Sequence, residues 1–324
     1  VRHLSLRVVD ALLLLWFVTT LTFALVHLAP GDPATLLIAP TASADEVARL
    51  RATLGLDASV FVQYARWMSG VLRGDLGESL VRAEPVTRVI LQALPVSLFL
   101  GGVSLVGSFV LGTLVGGWQA LRARPRADRT LSILCTVLFA APSFWLALAM
   151  VACFTSGAVW LGLPAWLRLP AFGMQSPASG LDATLVDRWR HAILPLVVLT
   201  IPGAAGVARY ARESMRDARD TPSVQNAAAR GLPAGRIARR YILRTALTPL
   251  VVLFGLTLPG VVAGSVFVEQ VFAWPGLGRA LLTAIAARDY PVVLGLTLVY
   301  ATVVIGANML ADVALWRLDP RRRQ

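Results

Sequence analysis

Long apolar blocks decide what this chain can fold into. A helix rises about 1.5 Å per residue, so crossing about 30 Å of hydrocarbon takes roughly 20 mostly apolar residues. Six blocks approach or exceed that length: about 8–29, 94–118, 130–155, 192–208, 246–268 and 291–316. The fourth is the shortest and is interrupted by Pro195, Pro202 and Gly203; the fifth is interrupted by Pro259-Gly260. Charged residues make up 15% of the 324, and the mean hydropathy is +0.69. A soluble domain gives about a quarter of its residues to charge. These features predict an all-α membrane protein with six transmembrane helices. The first block outruns the apolar core of a signal peptide, and His27 stands where a small residue would favour cleavage, so it is expected to stay as an uncleaved span.

All 30 basic residues are arginine, and the net charge is +12. Without lysine the chain can hold neither a phosphate-binding P-loop nor a Schiff base. With the N-terminus in the cytoplasm, 19 of the 30 arginines fall inside. They are Arg2 and Arg7, Arg122 to Arg129, the nine from Arg209 to Arg244, and Arg317 with Arg321 to Arg323. The short loop 122–129 carries most weight in the positive-inside rule, so both termini are expected to be cytoplasmic. The basicity then reflects topology in a lipid bilayer, and no nucleic acid is expected as a partner. Trp160, Trp166, Trp189 and Trp274 are expected at the outer interface, Trp118 and Trp316 at the inner one. Cys135 and Cys153 share one apolar block and suit small buried hydrophobes; His3, His27 and His191 form no cluster, so no metal site is expected.

Between the blocks the chain divides into an N-terminal span (1–29), an extracytoplasmic segment (30–93), a five-helix core (94–316) and a cytoplasmic tail (317–324). The outer segment predicts an amphipathic helix over 45–54, capped by Ser43 or Asp45 and stopped by Gly55, and a second helix over 60–72. Asp32, Asp75, Glu78 and Glu84 are scattered beside turn residues or arginines. Turn and cap roles suit them better than catalysis, and no catalytic residue is expected on the chain.

The inner loop 209–248 is the most informative. Thr221 is a cap candidate, Pro222 suits the first helical position, and Gly231 suits a left-handed stop, which predicts a helix over 223–230. Pro233 starts a second helix running to about Leu247. The small side chains of Ala227, Ala228 and Ala229 let another protein approach the backbone closely, with Arg230 supplying charge. From the residues alone, a docking knob and a loop whose arginines meet anionic lipid both stand open.

The run Asn226-Ala-Ala-Ala-Arg-Gly231 with Pro249 eighteen residues on resembles the EAA loop of ABC importer permeases. Pro30-Gly-Asp-Pro33, Leu54-Gly-Leu-Asp57, Gly74-Asp-Leu-Gly77, Phe272-Ala-Trp-Pro-Gly-Leu-Gly278, Arg288-Asp-Tyr-Pro291 and Asp319-Pro-Arg321 follow in family order. Together they resemble the first permease type of the dipeptide/oligopeptide/nickel importer family. The resemblance implies the type I ABC importer permease fold in a bacterial inner membrane. It implies a second homologous permease, two ATPase subunits that hold ATP and magnesium, and an extracytoplasmic binding protein; this chain holds no cofactor. It also implies ATPase coupling through Ser223, Val224, Asn226, Ala227, Ala228, Ala229, Arg230 and Gly231, with Gly231 as cap and hinge. Ser223 replaces a usual aromatic residue and Ala228 a more polar one, so the knob is less bulky and its partner groove is expected to match. The cargo implied is a peptide; nickel or a metal chelate is the alternative within the family.

An ion-coupled secondary transporter is the rival of another class. Asp10 and Asp312 lie toward span ends, whereas ion coupling places ionisable groups mid-membrane. Ser143, Thr200, Pro202, Thr257, Pro259 and Ser265 are the candidates for the pathway wall, with helix packing the other reading of the prolines and glycines.

Overall fold

The computed structural model describes residues 2–28, 43–53, 55–122, 124–160, 162, 164, 167–176, 184–263 and 265–318. The Pro30–Pro33 turn, Trp166 and the Asp319–Arg321 motif lie outside these. In chain order the helices are α1 (Arg2–Leu28), α2 (Ala44–Thr53), α3 (Val60–Leu72), α4 (Val86–Leu121), α5 (Pro125–Ala140), α6 (Ser143–Phe154), α7 (Ser156–Trp160) and α8 (Leu185–Arg219). There follow α9 (Pro222–Ala229), α10 (Ala234–Ile237), a π turn (Ala238–Ile242), α11 (Leu243–Thr257), α12 (Gly260–Ala263), α13 (Val266–Val271), α14 (Leu277–Ala286) and α15 (Tyr290–Leu318). Among the described residues five stretches are long and apolar enough to span a bilayer: Arg7–Leu28, Val86–Leu121, Leu185–Arg219, Ala234–Thr257 and Tyr290–Asp312. The bent pair α5 and α6 makes a sixth when counted as one span.

The chain forms two compact units, residues 1–97 with 275–305 and residues 98–274 with 306–324. Helix α4 begins at Val86, inside the stretch expected as the extracytoplasmic segment.

In the first unit, Ser43 and Glu46 cap α2 reciprocally: Ser43 N–H donates to Glu46 Oε2 at 2.8 Å and Glu46 N–H to Ser43 Oγ at 3.3 Å. Helix α3 packs on α1 through aromatics, with Phe23 between His27, Tyr64 and Trp67. The Thr20 and Tyr64 hydroxyls pair at 2.7 Å. Asp75 makes a turn, accepting from Gly77 N–H at 2.9 Å. The loop before α4 is held by buried Asp289, which accepts from Ser79 Oγ and from Leu80 N–H at 3.1 Å. Glu84 lies 3.7 Å from Arg82. Asp75 thus serves a turn and Glu84 a pair, as expected of them.

In the second unit, α4 and α8 meet along a seam of small residues. A Cβ on Gly112 would lie 2.6 Å from the Ala204 carbonyl oxygen, so only glycine permits this approach. Ser108 Oγ donates to the Thr200 carbonyl across the seam at 3.1 Å. Four expectations change here. The third block is not one straight span: α5 and α6 bend by 101° at Ala141-Pro142, where Ala141 is extended (φ −70°, ψ 128°), as the residue before proline prefers. The fourth block is not short: α8 runs unbroken for 35 residues through Pro195 and Pro202, its ends being polar turns that hydropathy overlooks. Trp274 is not an interface anchor but a buried side chain stacked on Phe99 at 6.4 Å. Cys135 is buried as expected, whereas Cys153 is exposed on its helix surface. The fifth block breaks after Thr257, at Leu258-Pro259, while Pro249 is accommodated inside α11.

Candidate functional site

The loop 209–248 folds into an ordered element. Pro222 opens α9 at the first helical position, as expected. Thr221 has the extended backbone of a cap (φ −71°, ψ 144°), but its side chain makes no cap bond. It donates instead to the Ala218 carbonyl at 2.7 Å and lies 3.1 Å from Ser223 Oγ. At the other end Gly231 takes φ +73°. Gly231 N–H donates to the Ala228 carbonyl at 2.9 Å and Leu232 N–H to the Ala227 carbonyl at 3.3 Å. That pair of bonds is a Schellman motif, which satisfies the last carbonyls of a helix. Arg230 Nε also donates to the Asn226 carbonyl at 3.2 Å.

The structure splits the eight coupling candidates. Val224 and Ala227 are buried inside the chain, so they seat the helix and do not offer a surface to a partner. Their seat is Ala120 at the end of α4, Met215 and Ala218 on α8, and Ile237, Ile242 and Ala246 on the returning segment. Leu232, which follows the left-handed glycine, packs on the same cluster. Ser223, Asn226, Ala228, Ala229, Arg230 and Gly231 are exposed. The second loop helix departs from regular geometry: α10 passes through a π turn into α11.

One functional cluster escaped the sequence reading. Asp128, in the first turn of α5, accepts from Arg212 Nε at 2.7 Å and Nη2 at 2.6 Å, and from Arg216 Nη2 at 2.8 Å. The forked geometry is the strong form of a guanidinium–carboxylate bond. Gln119 Nε2 adds a longer bond of 3.4 Å to Oδ1. Arg212 and Arg216 stand one turn apart on α8, so the pair ties the short 122–129 loop to the stem that carries α9. The signal was a lone acid in an arginine-rich loop, read only for its bearing on topology.

Reaching Arg212 of this cluster, the second unit holds an open cavity of 1090 Å³. Ser143, Pro202, Thr257 and Ser265 line it, as do Ser104 and Ser108. Thr200 and Pro259 are not in its lining; Thr200 packs toward Gly107 in the α4–α8 seam. Several of the lining hydroxyls donate within the chain. Ser104 donates to the Gly101 carbonyl at 3.0 Å, Thr257 to the Phe254 carbonyl at 2.9 Å, and Ser265 to Glu269 at 2.6 Å. The wall is therefore weakly polar. Its charged groups, Arg209, Arg212 and Glu213, belong to the stretch of α8 nearest α9. Among the described residues no three His, Cys, Asp or Glu side chains gather as a metal site.

Two family models match the chain. Residues 108–324 match the binding-protein-dependent transport system inner membrane component, and residues 1–101 match the N-terminal part of such membrane components. The oligopeptide transport system permease protein AppB of Bacillus subtilis is 32% identical over 94% of this chain and 93% of its own. The di/tripeptide transport system permease protein DppB of Pseudomonas aeruginosa is 34% identical over 94% of each. A solved structure of the MetNI methionine ABC transporter shares the fold with a TM-score of 0.54 at 20% identity, covering 71% of this chain and 96% of that one. The apolar spans, the bent third span and the capped loop helix thus have one origin: the chain is a multi-pass membrane protein with the type I ABC importer permease fold, and it belongs to the binding-protein-dependent transport system inner membrane component family.

Proposed function

We propose that this chain is the permease subunit of an ATP-driven importer and forms half of a passage for peptides delivered by an extracytoplasmic binding protein. The observation that carries this reading is α9: a capped helix with two residues buried in its own seat and its remaining face open. Such an element is built to transmit force, because its seat joins α4, α8 and the returning segment. Two ATPase subunits would each receive one such helix, one from this chain and one from a homologous second permease. ATP and magnesium would reside on the ATPases, and this chain would perform no hydrolysis. ATP-driven closure would press the two helices together and bias the passage between two states.

The cavity supports a passage over a binding pocket. A tight site needs unpaired polar groups aimed at the ligand, whereas Ser104, Thr257 and Ser265 on this wall already donate to backbone or to Glu269. Peptide cargo rests on the names carried by the relatives. Orientation with both termini inside, in a bacterial inner membrane, rests on the arginine distribution. The test is reconstitution of the complex in proteoliposomes with its binding protein and labelled di- to pentapeptides. Uptake is expected to need ATP and magnesium on the ATPase side. Uptake driven by an ion gradient without nucleotide would overturn the proposal.

A further inference from the structure

Beyond the coupling helix, the returning segment carries Arg236, Arg239, Arg240 and Arg244, all exposed. Together with Gly235 they line an open concavity of 610 Å³. Among the described residues, no carboxylate lies within ion-pair distance of their guanidiniums. Arg212, Arg216, Arg51 and Arg82, by contrast, all have acidic partners. Four like charges in one hollow repel one another, so the arrangement favours a bound anion.

The π turn explains how they converge. In a regular α-helix eight residues overshoot two turns by about 80°, which would swing Arg244 away from Arg236. The wide turn at Ala238–Ile242 absorbs about one residue. The eight then behave as about seven, and Arg244 returns to within roughly 20° of the line of Arg236. The same face continues along α11 as Leu247 and Val251, three and seven residues beyond Arg244, exposed by 43% and 40%. Residues 234–257 are also one of the stretches apolar enough to cross a bilayer, so the arginines stand at the membrane–water boundary. A soluble anion or an acidic protein groove would use the arginines but not the apolar rail above them. An amphiphile uses both.

We infer that Arg236, Arg239, Arg240 and Arg244 form a binding site for the phosphate headgroup of an anionic phospholipid whose acyl chains lie along Leu247 and Val251. The site needs only the membrane setting and is independent of the cargo. Two guanidiniums removed together weaken binding roughly thirtyfold, at the usual worth of a basic residue near an anionic surface.

The experiment uses the full-length chain, purified with the subunits that accompany it, delipidated and titrated with dioleoyl phosphatidylglycerol or dioleoyl phosphatidylcholine, with bound lipid counted by native mass spectrometry. Phosphatidylglycerol is expected to bind and phosphatidylcholine not. Arg240→Gln with Arg244→Gln is expected to lose binding by that factor, and Arg240→Lys with Arg244→Lys to retain part of it. The lysine pair guards against a misfolded glutamine variant. Arg126→Gln with Arg129→Gln removes equal charge from the other inner loop and is expected to leave binding unchanged. Three results would each overturn the site: equal loss in that control pair, complete displacement by inorganic phosphate, or unchanged lipid binding with loss of an accompanying ATPase subunit. The last would assign the hollow to a protein contact.

Discussion

At Gly231 the backbone is left-handed, and nothing lies within 4 Å of where a Cβ would stand. A substitution there meets strain alone, with no clash, at about 1–2 kcal/mol for a β-branched residue. Gly231→Val is therefore expected to disturb the Schellman end of α9 without unfolding the chain. In a reconstituted complex, ATP hydrolysis should persist while uptake falls several-fold. Gly231→Asn, which tolerates the left-handed region, should restore coupling. Equal uptake by the valine variant would remove Gly231 from the coupling path. Asp128 behaves differently, because it is the shared acceptor of two guanidiniums. Its side chain is 13% exposed, against 19% for Arg212 and 43% for Arg216. Asp128→Asn leaves Arg212 short of a partner in a largely buried place and is expected to destabilise by about 1–3 kcal/mol, seen as a lower melting temperature. Arg216→Gln should cost clearly less, since solvent already reaches that side chain. Gly231 was legible in the sequence because its chemistry is local. Asp128 was not, because its partners lie 84 and 88 residues away.

At the scale of the element, α8 and α9 form one device. Helix α8 carries the seam with α4 at one level, the Asp128 fork lower down, and Met215 and Ala218 under α9 at its end. Ala227 is fully buried in that seat. Ala227→Leu overfills it and is expected to cost about 1–3 kcal/mol. The checks are thermal unfolding and the number of ATPase subunits retained on purification, and both should fall. Ala228→Leu, one residue on and exposed, should leave the melting temperature unchanged. Caps and turn residues made α9 readable to within a residue. Proline did not read so cleanly: Pro142 bends a span by 101°, while Pro195 and Pro202 sit inside an unbroken helix. The difference lies in the backbone before each proline, extended at Ala141 and helical before Pro195 and Pro202, a choice that a single sequence window does not hold. Hydropathy likewise found the apolar middle of α8 and missed polar turns at both ends.

At the scale of the whole molecule, six apolar blocks were enough to reach an all-helical membrane protein, because a bilayer demands long helices and little else; the permease fold was reached through the resemblance of the motifs. What hydropathy could not supply was the grouping of those helices. The two compact units each draw on distant parts of the chain, and α4 and α15 contribute to both. The cavity shows the same limit. Four of its six anticipated residues line it, while Thr200 turned to the seam, a choice set by tertiary packing. The account rests on α9 being a lever seated on a separate motor protein. The most direct measurement places a crosslinker at Asn226→Cys on the exposed face of α9, in a chain with Cys135→Ser and Cys153→Ser, within the assembled transporter in membranes. The account predicts a crosslink to a nucleotide-hydrolysing subunit whose yield changes with ATP, and protection from impermeant thiol reagents added outside the cell. Labelling from the exterior, with no ATPase adduct under any nucleotide condition, would contradict it.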